Sequence, residues 1–148
     1  MPEPTADWIG DVYAVARAMW LGIRAHPAAI PLVLTRRTSS ATGFAVADAL
    51  IAALGRGGLS DTDRLAAFHA VFALVVGAVQ AELAGPFTRG RDAGDAAARI
   101  GSAAAADHPH VEALSHVARE LPVEEDFAQG LRMLLDGIAV RGTKRPRR

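Results

Sequence analysis

"SDTDRLAAFHAVFALVVGAVQAEL" runs from Ser60 to Leu83, and between Leu65 and Ala81 only His69 and Gln80 are polar. Ser60 and Asp63 form an S-x-x-D capping box, which satisfies the first free N–H groups of a helix. The spacing therefore predicts one long helix over about 61–84. A helix that is apolar all round must be covered all round. Its bulky face carries Leu65, Phe68, Phe72, Val76, Val79 and Leu83. The opposite face carries Ala67, Val71, Leu74, Ala78 and Ala81, which are mostly small. The run is long enough to cross a membrane. Its alanine content, His69, Gln80 and the terminal Glu82 instead favour a buried central helix.

Upstream, Trp8, Val12, Val15, Met19 and Ile23 recur at helical spacing over about 6–25, with Ile9, Tyr13 and Trp20 on the flank. His26 precedes Pro27, and a residue before proline is pushed out of the helical region, so the chain turns there. "PAAIPLVLTRR" (27–37) predicts a short second helix interrupted near Pro31. A third, over about 42–56, has Phe44, Ala47, Ile51 and Leu54 as its stripe and stops at "GRGGL", glycine being favoured just past a helix end. The segment 85–107, rich in glycine, alanine and alternating charge, reads as a flexible loop with room for a short helix around Asp95 to Ile100. Pro109 suits the first turn of a fifth helix to about Glu120.

The sixth helix, "EEDFAQGLRMLLDGIAVRG" (Glu124–Gly142), opens with acids at its positive end. No stretch alternates as a strand does. The expectation is one all-α domain over 1–148, of about six helices, with 1–5 and 143–148 disordered. Gly130 and Gly137 are costly here, about 1 kcal/mol each relative to alanine. They stand seven residues apart at the edge of the Phe127, Leu131, Leu134 and Ile138 stripe, which points to close approach by another helix. With Leu74, Ala78 and Ala81 on the fourth helix, they suggest an isologous homodimer with a four-helix interface. Close packing within one chain is the open alternative.

Composition narrows the function. There are 148 residues, 32 of them alanine, a single lysine and no cysteine. Disulfides, thiol nucleophiles and thiolate metal sites are therefore excluded. A net charge of zero argues against nucleic-acid binding by this chain alone. No G-x-S-x-G, H-E-x-x-H or phosphate loop is present, so no enzyme is expected. His108, His110 and His116 lack a recognisable zinc spacing, and neither metal nor cofactor is expected. "MPEPTADWIG" (1–10) has no signal-peptide features, which reads as cytoplasmic, with no membrane partner.

Several pieces together carry a resemblance: "RAHP" (24–27), "GGLS" (57–60), "VVGAVQAE" (75–82) and F-x-x-G-L-x-x-L-L-D-G from Phe127 to Gly137. In this order and spacing the chain resembles the C-terminal regulatory domain of TetR-family transcriptional regulators, from Trp8 to Gly142. The resemblance implies that the last two long helices form the dimer interface. It implies a small, mostly apolar effector held in the helical core of each subunit. It also implies DNA binding only through a helix-turn-helix domain that would precede Trp8 and that this sequence lacks. That absence reads as a truncated piece or as a stand-alone regulatory domain. In tetracycline-responsive members a histidine near the end of the short second helix helps hold the drug's magnesium. The matching position falls near Leu32, which cannot ligate, so that ligand is not expected.

His69 and Gln80 share one direction on their helix, about 16 Å apart along the axis. Two polar groups in an apolar helix are what an apolar pocket with orienting groups requires. Hydrogen bonding within the core is their plain alternative. Met19, Trp20, Ile23, Phe44, Phe68, Phe72 and Val76 would form the apolar wall, or ordinary core. The other function compatible with the sequence is a stand-alone helical protein–protein interaction module without a pocket.

Overall fold

The computed structural model describes residues 3–26, 41–84, 98, 101–103 and 107–143. Every regular element among the described residues is helical. Five helices are α1 (Trp8–Ala25), α2 (Ala41–Arg56), α3 (Asp61–Ala84), α4 (Pro109–Glu120) and α5 (Val123–Thr143). Here α3 and α5 are the helices expected as fourth and sixth. The expected short second helix, nearly all of the 85–107 segment and the tail from 144 lie outside the described residues.

Each helix start has its own chemistry. The Asp7 carboxylate caps α1 by accepting from the Gly10 N–H at 3.0 Å. The capping box opens α3 as its sequence requires: Ser60 Oγ accepts from the Asp63 N–H at 3.0 Å and donates to the Asp63 carboxylate at 2.6 Å. Pro109 stands in the first turn of α4. Glu124, Glu125 and Asp126 occupy the first turn of α5, where negative charge is favoured.

The chain divides into two compact units, Met1–Val76 with Gly130–Arg148, and Gly77–Gln129. In the first, α1 packs along α2. Its fully buried side chains include Trp20 and Val12 of α1, Leu50 and Leu54 of α2, Val71 and Val75 of α3, and Leu131 and Leu135 of α5. The buried stripe of α5 is thus Phe127, Leu131, Leu135 and Ile138, with Leu134 half-buried. Leu134 and Leu135 both satisfy helical spacing, and only packing chooses between them. In the second unit Ser115 is buried and donates to the Glu112 carbonyl at 2.7 Å. Gly101 lies against it, because a Cβ there would come within 2.7 Å of the Ser115 hydroxyl.

One corner of the first unit gathers four helix ends. Gly57, just past α2, lies under the Trp8 ring so closely that a Cβ would sit 2.9 Å from it. A Cβ on Gly142 would come within 2.3 Å of the Gly57 carbonyl oxygen, so the end of α5 crosses the α2–α3 turn at backbone distance. Gly58 in that turn has φ +70°, a conformation that favours glycine.

Two glycines of this unit are expected to respond oppositely to alanine. Gly142→Ala forces a backbone shift and should cost about 1–3 kcal/mol. Gly22→Ala, on α1, meets no atom within 4 Å and should add about 0.5–1 kcal/mol. Urea denaturation followed by circular dichroism measures both.

Candidate functional site

α3 is long and apolar enough to cross a membrane by length and composition. Yet only 28% of the most apolar window in Asp61–Glu82 is buried by the chain itself. The deficit has a definite place. In the first unit Leu65 is 56% exposed, and Ala66, His69 and Ala73 follow it along the same open side of α3. On α5, Met133 is 69% exposed, and Gly137 and Val140 lie at helical spacing beyond it.

These residues open to one side. Leu74 approaches Gly130, where a Cβ would lie 4.0 Å from its Cδ1, and Arg141 reaches Asp63 at 3.8 Å. The residue numbers rise on one helix as they fall on the other, so the helices run antiparallel along this edge. Val71 and Val75 on α3, and Leu131 and Leu135 on α5, turn to the buried side. At about 100° per residue, the His69/Ala73 and Met133/Gly137 positions then face away from the core on both helices. The result is a face of small and apolar residues, rimmed by Arg132 and Asp136. A Cβ on Gly137 meets nothing within 4 Å, so among the described residues no packing requires that glycine.

The residues expected at a subunit interface divide in two. Gly137 and Ala81 are exposed, and Gly130, Leu134, Leu74 and Ala78 are half-buried. Phe127, Leu131 and Ile138 are buried within the single chain. The residues expected at a pocket divide as well. His69 and Gln80 are exposed on α3, and Phe44 is 58% exposed. Trp20 and Val76 are buried, and Met19, Ile23, Phe68 and Phe72 are half-buried. The Phe68 and Phe72 rings stack with centroids 6.3 Å apart, and Arg24 lies over the Trp20 ring at 4.9 Å. His69 stands beside the Phe68 ring at 5.6 Å.

A polar site escaped the sequence reading. Asp11, in the first turn of α1, is 8% exposed. Its carboxylate accepts from the Thr5 N–H at 2.8 Å and the Thr5 hydroxyl at 2.9 Å, and pairs with Arg56 at the end of α2. The Thr5 backbone N–H foremost, then its hydroxyl and the Arg56 guanidinium, hold the Asp11 carboxyl below its ordinary 3.8 against the opposing effect of burial. No short motif announces this triad, because Thr5 and Arg56 are far apart in sequence. Among the described residues no three histidines or carboxylates gather as metal ligands.

Residues 1–141 match the family described as "Tetracyclin repressor-like, C-terminal domain". The chain belongs to that family of non-enzymatic transcription-regulator domains. In fold it is similar to the transcriptional regulator SCO7222, a TetR from Streptomyces coelicolor. The two align with TM-score 0.74 and 20% identity, over 92% of this chain and 67% of that one. No curated protein matches the sequence.

Because the Asp11 value is lowered, its stabilising contribution is complete above the ordinary carboxylate range and is lost as pH falls through the lowered value. Asp11→Asn should lower the urea midpoint at pH 7. The gap from the parent should close as pH falls below the ordinary carboxylate range and through the lowered Asp11 value.

Proposed function

We propose that this chain is the effector-binding and dimerisation domain of a TetR-like regulator. The open faces of α3 and α5 pair with the same faces of a second copy. A small, mostly apolar ligand binds among Trp20, Phe68, Phe72 and Val76, and its presence controls DNA binding by a helix-turn-helix domain. The observation that carries the reading is the apolar α3 that its own chain leaves open along one side. A self-complementary face of that kind is closed by a two-fold partner. Gly137 and Ala73 let the helices of two copies approach, and His69 belongs to this face rather than to the ligand. Ligand and DNA affinities are then coupled, each shifting the other by the same factor.

Exposed Val111, Leu114 and Val117 on α4 favour a second reading, a docking module for another protein. Native mass spectrometry separates the two: the first requires a dimer, the second does not.

Gly137→Leu has room in the single chain, but should weaken the dimer at least about tenfold by overpacking. Sedimentation equilibrium reads this, and a variant as dimeric as the parent refutes the interface. Phe72→Ala should cost about tenfold in affinity for whatever ligand native mass spectrometry recovers. His69→Ala should leave that affinity within about twofold and change the dimer constant instead. Titration calorimetry on all three proteins distinguishes the roles.

A further inference from the structure

The chain ahead of α1 folds back onto the helix it enters. The Thr5 N–H and the Arg56 guanidinium both bond to Asp11 Oδ2, while the Thr5 hydroxyl takes Oδ1. One nearly buried carboxylate therefore joins the entering segment, the first turn of α1 and the last turn of α2. Arg56 and Asp11 are 45 residues apart in sequence, so the junction is tertiary. A second contact binds the same two ends: the Trp8 ring lies over Gly57, immediately past α2. Asp7, between the two, donates its N–H to the Thr5 hydroxyl at 3.1 Å while capping α1 with its carboxylate.

The shared oxygen makes the two contacts interdependent. Arg56 fixes the orientation of the carboxylate through a charge-assisted bond, the stronger kind. If the end of α2 moves and withdraws Arg56, the carboxylate turns toward water and Thr5 loses its acceptor. We propose that Asp11 is a positioning residue in a clasp that links the C-terminal end of α2 to the segment ahead of α1. Displacement of α2 releases that segment, and its return docks the segment again. For its biological use alone the clasp rests on the function proposed above: there, α2 packs on the ligand-lining α1, and an upstream DNA-reading domain would join through the clasped segment.

The clasp is tested on the chain as it stands, by amide hydrogen exchange, with neither ligand nor DNA present. Arg56→Gln should speed exchange of the Thr5 amide about fivefold, the factor carried by one ordinary hydrogen bond. The Gly10 amide, held by Asp7, should stay within about twofold of the parent. Arg56→Lys, which keeps the charge, should restore part of the Thr5 protection. An unchanged or slower Thr5 amide in Arg56→Gln overturns the proposal and leaves the dimer and ligand readings untouched. If Arg56→Gln does not fold, Thr5→Pro, which removes the N–H that shares Oδ2 with Arg56, supplies the reciprocal test. Coupling requires faster exchange of the Arg56 side-chain N–H in that variant, and unaltered exchange overturns the clasp.

Discussion

Covering α3 is the constraint on which the rest depends. A helix of 24 residues with almost no polar side draws its stability from apolar neighbours laid along it. Buried Ala67, Val71 and Val75 meet the demand on one side of the first unit. On the other side Leu65, Ala66, His69 and Ala73 stay open. The composition of that open side is as informative as its exposure. Small residues cost little when exposed and permit close approach when covered, and the open Met133 and Gly137 of α5 extend the same surface.

The corner of Trp8, Gly57 and Gly142 serves the same architecture from the end. Two glycines let backbones pass at distances that no side chain permits. The end of α5 is fixed against the start of α3, so the two helices that share the open face keep their mutual register. The Asp11 site fastens α1 and α2 at the same corner. Apolar packing sets which helices meet, while glycine contacts and one charged cluster set where their ends lie.

Much of this was legible in the sequence because helices announce themselves locally. The capping box at Ser60 and Asp63, Pro109 and the acids before Phe127 each satisfy or favour a helix terminus by short-range chemistry, and the structure uses all of them. The all-helical class follows from 3.6-residue periodicity and the absence of alternation. The family follows from short motifs in a fixed order, and the match over residues 1–141 agrees with them. The site was less legible. His69 and Gln80 interrupt the apolar run, and each is exposed on α3.

The sequence by itself determined the helices, their caps and the unusual apolarity of one of them, because these depend on neighbours within a few residues. It determined a spacing for each stripe but not a phase. Leu134 or Leu135, and Ala66 or Ala67, fit the same period and differ by about 100° of rotation. Only tertiary structure turned Leu135 and Val71 inward and left Ala73 and Gly137 open. Only tertiary structure brought Arg56 to Asp11, since a hydrogen bond across 45 residues leaves no local trace in either segment. Rotation about a helix axis, and the meeting of distant ends, are decided by what else must be packed, and that information is spread over the whole chain.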